Sequence, residues 1–188
     1  MTDAFIERSR YYLVREYPTK IRLAIEAMPA GAIWSRPKDT SNSVGNLIVH
    51  LAGNVREWIV AGIGGEPNVR DRQSEFARSD GPGSKELLAE LQCSVTDADR
   101  VLERLDARDL CRECTIQGRK TTIMSAVYHV VEHFAMHTGQ IILLAKLHAP
   151  GAIRFYDDSS GLAVPLWGGA EGMEPDTTDV REPTGRNN

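Results

Sequence analysis

The stretch TIMSAVYHVVEHFAMHTGQIILLAKL, residues 122–147, decides the fold. Ile123, Val127, Val130, Phe134, Ile141 and Ala145 recur at three-, four- and seven-residue steps, which gathers them on one face of a helix. A stripe that long must be buried against other elements of similar length. Working outward, three further segments can supply them. Asp3 to Met28 carries Phe5, Tyr12, Ile21, Leu23 and Ile25; Pro18 predicts a kink or a local restart there, because proline removes a backbone donor. Val44 to Ile63 follows the capping cluster Asp39-Thr-Ser-Asn-Ser43 and stops at Gly64-Gly65. Its Val44, Leu47, Ile48, Leu51, Val55, Trp58 and Ile59 again share one face. Ser84 to Leu105 repeats the pattern through Leu87, Leu88, Leu91, Val95, Val101 and Leu102.

Four helices of this length imply an all-α four-helix bundle. The polar connection from Gly65 to Gly83 is the longest, and it permits a crossover that leaves helices two and three parallel. Before the last helix, Gly118 between Thr115-Ile116 and Thr121-Thr122 predicts a tight turn or small hairpin. The expected organisation is a bundle over residues 1–148 and an acidic, Gly/Pro-containing extension, largely irregular, over 149–188.

Charge excludes one large class of function. The chain has 188 residues, with 22 Lys plus Arg against 26 Asp plus Glu, a net −4. A nucleic-acid binder that works by neutralising phosphates needs the opposite balance. Residues 1–148 hold 19 acidic and 19 basic residues, so the acidity belongs to 149–188, with seven acidic against three basic. The apolar run Leu162-Ala-Val-Pro-Leu-Trp167 in that extension is expected to dock on the bundle or on a partner subunit, with about ten terminal residues mobile. The N-terminus lacks the apolar core of a signal peptide, and the purest apolar run, Ile141 to Ala145, is far short of the ~20 residues of a membrane span. Neither nucleic acid nor membrane is therefore expected as a partner. Cys93, Cys111 and Cys114 are too few for a disulfide framework, which points to a cytoplasmic protein. Cys111 and Cys114 lack the second pair of a structural zinc site and read as ordinary thiols.

Chemistry concentrates in the last helix. His129, His133 and His137 stand at i, i+4 and i+8. At about 100° per residue, His137 lies about 40° from the apolar stripe, His133 about 80° and His129 about 120°. Glu132 points away from the stripe, which separates this segment from the HExxH zinc-protease pattern. His50 is the best third partner, since it sits in a stretch from Ser41 to Val55 with no charged residue. Three imidazoles with one open position are the form of a catalytic zinc site, and imidazole also suits nickel, iron and copper. The residues alone leave a second option open, in which the histidines are merely hydrogen-bonded and partly buried. Gln140 and Asn54 are candidates to orient a ligand or a bound water, and Gly139 to let a neighbouring helix approach closely. Trp34, Trp58 and Trp167 are expected to pack. Arg70-Asp-Arg72 is expected to be a solvated surface, or, if its loop covers the site, a holder for an acidic substrate or thiol carboxylate.

Ser43-Val-Gly-Asn-Leu-Ile-Val-His50-Leu-Ala-Gly-Asn54, together with His133-Phe-Ala-Met-His137-Thr-Gly-Gln140-Ile, resembles the DinB/YfiT-like superfamily of metal-dependent proteins. The resemblance covers about residues 3–148. It implies a four-helix bundle with a long crossover and a divalent metal, zinc or nickel, held by His50, His133 and His137. His129 precedes the matched pair and is not assigned. Relatives include thiol-dependent S-transferases and a thiol-dependent isomerase, so the resemblance also implies a low-molecular-weight thiol and a small-molecule substrate. The alternative is a non-catalytic metal- or small-ligand-binding bundle, or a dimerising interaction protein. A homodimer is expected from the resemblance and from the extent of apolar helix surface.

Overall fold

A computed structural model describes residues 2–29 and 31–166. They fall into two compact units, one ending at Ile153 and the other beginning at Arg154.

The first unit is built of four long helical rods. The first is α1 (Thr2–Arg10), a π-helical turn over Tyr11–Glu16, and α2 (Tyr17–Glu26). Pro18 falls at the start of α2, directly after the π-helical turn, and the backbone stays right-handed helical through Glu16 and Tyr17. The interruption expected at Pro18 takes the form of a widened π-helical turn just before it, within a continuous helical rod. The second rod is α3 (Val44–Val55), continued by a π-helical turn over Arg56–Ala61. It starts at a capping box: Ser43 Oγ accepts from the Asn46 backbone N–H at 3.1 Å, and Asn46 Oδ1 accepts from that of Ser43 at 3.0 Å. The short α4 (Arg72–Ala77) lies within the 65–83 connection, where no apolar periodicity announces it. The third rod is α5 (Ser84–Leu102) and the fourth α6 (Ile123–His148), whose N-cap Thr122 accepts from the Ser125 N–H. Between them β1 (Glu113–Ile116) and β2 (Arg119–Thr122) pair antiparallel, Ile116 opposite Arg119. Their turn, Gln117-Gly118, has φ of 54° and 73°, the left-handed pair that matches hairpin twist.

All six residues of the α6 stripe are 1% exposed or less. Phe134 is stacked by Tyr17 of α2 at 5.7 Å between ring centroids. The second and third rods run parallel, because Arg56 meets Asp97 at 3.2 Å and Gly64 meets Val101 further along both. The second and fourth run antiparallel, since the His50 ring meets His137 and the Trp58 ring meets His129. The crossover expected from the long connection is present.

That connection is pinned to the start of α3. Trp34 Nε1 donates to Pro82 O at 3.0 Å, and a Cβ at Gly45 would come within 2.7 Å of the indole, so only glycine lets the ring lie there. Asn46 Nδ2 donates to Glu75 O and Arg78 O, both at 2.9 Å, and Arg36 Nη2 donates to Phe76 O at 2.9 Å. The terminal carbonyls of α4 are thereby satisfied, which lets so short a helix persist.

In the second unit β3 (Tyr156–Asp157) pairs antiparallel with β4 (Val164–Pro165), so part of the expected irregular extension is a small hairpin. Leu162, Val164 and Leu166 are exposed on it, while Trp167 and the last residues lie outside the described ones. Among the described residues no helix is long and apolar enough to cross a membrane. Cys93, Cys111 and Cys114 are free thiols.

Candidate metal centre

α3 is buried on nearly every side, and its uncharged sequence is what permits that. His50 is consequently only 3% exposed. α6 crosses it antiparallel and presents His133 and His137 from successive turns. His50 Nε2 lies 3.1 Å from His133 Nε2, and His137 Nε2 lies 3.1 Å from the same atom. One nitrogen from each of the three rings falls within a 4.8 Å group, which could hold a metal ion.

Hydrogen bonds set the ring tautomers. His50 Nδ1 lies 2.8 Å from Glu75 Oε2, which can only accept, and 3.0 Å from Arg70 Nη2, whose N–H goes to that same oxygen, so Nδ1 donates to Glu75; His137 Nδ1 donates to Gln140 Oε1 at 2.7 Å. Each bond leaves a bare lone pair on Nε2, pointed at the other rings. Burial, reinforced by His137, His50, His129 and Arg70, pushes the His133 pKa down to about 3; burial lowers that of His137 as well. The His133 and His137 rings are thus neutral at physiological pH. Around a tetrahedral ion bound at about 2.0–2.1 Å, ligand nitrogens stand about 3.3 Å apart, close to both separations here. At most one N–H can be shared at this convergence, whereas a cation satisfies every lone pair. The donor set fits such an ion.

Glu75 is held by an ion-pair chain. Arg70 Nε donates to Glu75 Oε1 at 2.6 Å, its Nη2 to Oε2 at 2.8 Å, and its Nη1 to Glu57 Oε2 at 2.7 Å. Gln117 of the hairpin turn and Asn68 donate to Glu57 as well, at 2.7 and 3.0 Å. The Arg70 and Glu75 side chains are each 5% exposed. Burial raises both carboxyls, but the hydrogen bonds outweigh it, from Arg70 and His50 at Glu75 and from Gln117, Arg70 and Asn68 at Glu57, so both lie below the usual glutamate range. Burial opposes the Arg70 charge too, yet its two carboxylates raise its pKa. Both acids are ionised and both are paired.

This corrects two sequence expectations. Arg70 is interior, because Glu57 and Glu75 together compensate its desolvation. Its neighbours do lie on the surface, where Asp71 caps α4 through the Gln73 and Ser74 N–H groups and Arg72 covers the Phe76 ring. Gly139 faces open space, with nothing within 4 Å of a Cβ built there, so no helix approaches at that point. The glycine that matters is Gly53: a Cβ there would collide with Glu75 Oε1 and lie 2.9 Å from Arg70 Nε. Glu57 and Glu75 carried no periodic or motif signal, and Gly53 stood in the Ser43–Asn54 stretch with no role attached to it. The one available hint was that a histidine inside an uncharged helix needs a polar partner from elsewhere.

The remaining candidates fall as follows. Gln140 bonds His137. Asn54 is buried but bonds none of the three rings, and its Oδ1 lacks a partner among the described residues. His129 packs against Trp58, ring centroids 4.2 Å apart and the planes tilted by 45°, and stands outside the converging group. Glu132 is exposed. A cleft of about 720 Å³ lined by Gly53, Arg56, Val60, Arg70 and Glu75 adjoins the ion-pair chain, and none of the three histidines lines it.

Comparison with known proteins agrees with this architecture. A family described as a protein of unknown function, DUF1572, matches residues 1–154. The crystal structure of a DinB-like protein, YjoA, from Bacillus subtilis superposes with a TM-score of 0.59 at 19% identity. The match covers 80% of this chain and 97% of that one. No functionally curated protein matches the chain. With most of its length inside the family match, the chain belongs to the DUF1572 family, and its fold is that of the DinB/YfiT-like superfamily which its histidine motifs resemble.

Proposed function

We propose that the protein is a metal-dependent enzyme, with His50, His133 and His137 holding zinc or nickel, that transfers or isomerises a small electrophilic substrate with the help of a low-molecular-weight thiol. The convergence of three imidazole Nε2 atoms, two of them fixed as bare acceptors, carries this reading. A divalent ion at an open position would deprotonate a coordinated thiol at neutral pH. The protein's own residues prepare that position. Glu75 keeps the proton of His50 on Nδ1 and, braced by Arg70, holds the ring against rotation. Gln140 does the same for His137. With His50, His133 and His137 as its protein ligands, a bound ion would keep room for thiol or substrate. The three free cysteines fit a reducing, cytoplasmic setting. The test is turnover of a panel of electrophiles by metal-loaded protein with each of several thiols. Thiol-dependent turnover abolished by chelation is expected; bound metal without turnover under any pairing would favour a binding module.

A second observation favours self-association alongside this reading. Met124, Tyr128, Met136, Leu143 and Leu147, half of the exposed large hydrophobic residues described, lie on the outer side of α6. Two copies of α6 crossing antiparallel at Gly139 would bring Glu132 opposite Lys146 and Ala135 opposite Leu143, so the surface complements itself in charge and in size. Leu143→Glu is expected to convert a dimer to a monomer in sedimentation equilibrium. A monomeric wild type, or an unaffected variant, would rule this interface out.

A further inference from the structure

Metal-ligating histidines almost always donate their second ring N–H to a fixed acceptor, which sets both tautomer and orientation. Here the pattern is two-thirds complete. His50 Nδ1 has Glu75 and His137 Nδ1 has Gln140, but His133 Nδ1 is buried with no partner among the described residues. With Nε2 turned toward its two neighbours at 3.1 Å, His133 must carry its proton on Nδ1 to offer a lone pair there, so the unpartnered atom is a donor.

The facing helix holds an unpartnered acceptor. Asn54 is 4% exposed and its Oδ1 is buried without a partner. Its position relative to His133 follows from the antiparallel crossing. His50 meets His137 at 5.0 Å and Trp58 meets His129 at 4.2 Å between ring centroids. Asn54 lies four residues after His50 and four before Trp58; His133 lies midway between His129 and His137. The two residues therefore occupy opposed positions, one turn from each ring contact. No direct hydrogen bond joins Asn54 Oδ1 and His133 Nδ1, and a polar site between a donor and an acceptor suits one bridging water.

We propose that Asn54 is the positioning residue for His133, accepting its Nδ1–H through a bound water and so completing the outer shell of the three-histidine site. The proposal rests on the metal-binding reading. It gives each ring its own anchor: a carboxylate for His50, a carboxamide for His137, and a carboxamide acting through water for His133. It also accounts for a buried asparagine on α3 in the same terms.

The experiment compares zinc affinity, by chelator competition, with the exchange rate of each histidine Nδ1–H in nitrogen-15 spectra of the zinc-loaded protein. Asn54→Leu keeps the size and removes the acceptor. It is expected to weaken zinc by about tenfold to a hundredfold and to make the His133 Nδ1–H exchange quickly, while those of His50 and His137 stay slow. Asn54→Asp retains an acceptor oxygen and is expected to restore slow exchange. Unchanged affinity and slow exchange in Asn54→Leu would overturn the proposal. So would equal weakening in both variants with His133 still slow, which would mean packing alone. A wild type that takes up no zinc would overturn the metal reading, and this assignment with it.

Discussion

His137→Ala protein, purified without a histidine tag, is expected to carry no stoichiometric zinc or nickel, whereas wild type carries about one ion per chain. The size of the effect follows from the geometry. The site has three nitrogens from two helices, and His137 supplies one whose tautomer is already set by Gln140. Removing it leaves His50 and His133, a two-ligand remnant with two open positions. The informative control is His129→Ala. His129 belongs to the same i, i+4 series and is half-buried, but it packs against Trp58 outside the converging group. Its loss should leave the metal content of the protein intact. Elemental analysis of the three proteins settles the matter: a metal-free wild type, or metal retained in His137→Ala, would end the three-histidine assignment. Melting of each metal-free protein checks that all are folded.

Arg70→Met is expected to destabilise the metal-free protein by about 3–5 kcal/mol, the cost of leaving buried charge without its partner. Two carboxylates depend on this guanidinium. Glu75 is 5% exposed and Glu57 12% exposed, and each accepts a hydrogen bond shorter than 2.8 Å from it. The effect should also reach beyond the pair, because Glu75 sits on α4 and Glu57 is tied to the hairpin turn by Gln117. Glu57 keeps Gln117 and Asn68 when Arg70 is lost, so the larger share of the penalty falls at Glu75. Combining Arg70→Met with Glu75→Gln removes that charge and should recover part of the loss. Urea unfolding measures both. Wild-type stability in Arg70→Met would show that the pair does not hold the 65–83 connection in place.

Much of the architecture could be read locally. The α6 stripe, the Ser43 cap and the glycines after the second helix all act within one or two turns, so periodicity and capping chemistry reveal them. The two π-helical turns were not legible, since a one-residue widening leaves the apolar pattern nearly intact. Neither was α4. Its six residues have no stripe of their own, and the carbonyl bonds that sustain it come from Arg36 and Asn46, 40 and 29 residues upstream.

The candidate site divides in the same way. His133 and His137 share a helical face by spacing alone, and His50 stood out as the imidazole of an uncharged helix. Sequence by itself therefore determined four helices, their buried faces and a short roster of imidazoles. Only the tertiary structure decided that α3 and α6 cross where three Nε2 atoms meet, that Glu75 and Gln140 orient two of the rings, and that Arg70 is interior. The physical reason is range. Periodicity encodes which side of a helix avoids water, but the partner of a buried charge is chosen by whatever the fold brings within hydrogen-bond distance. Arg70 and Glu75 have the composition of a solvated loop, and the absence of a side chain at Gly53 is what admits them to the interior.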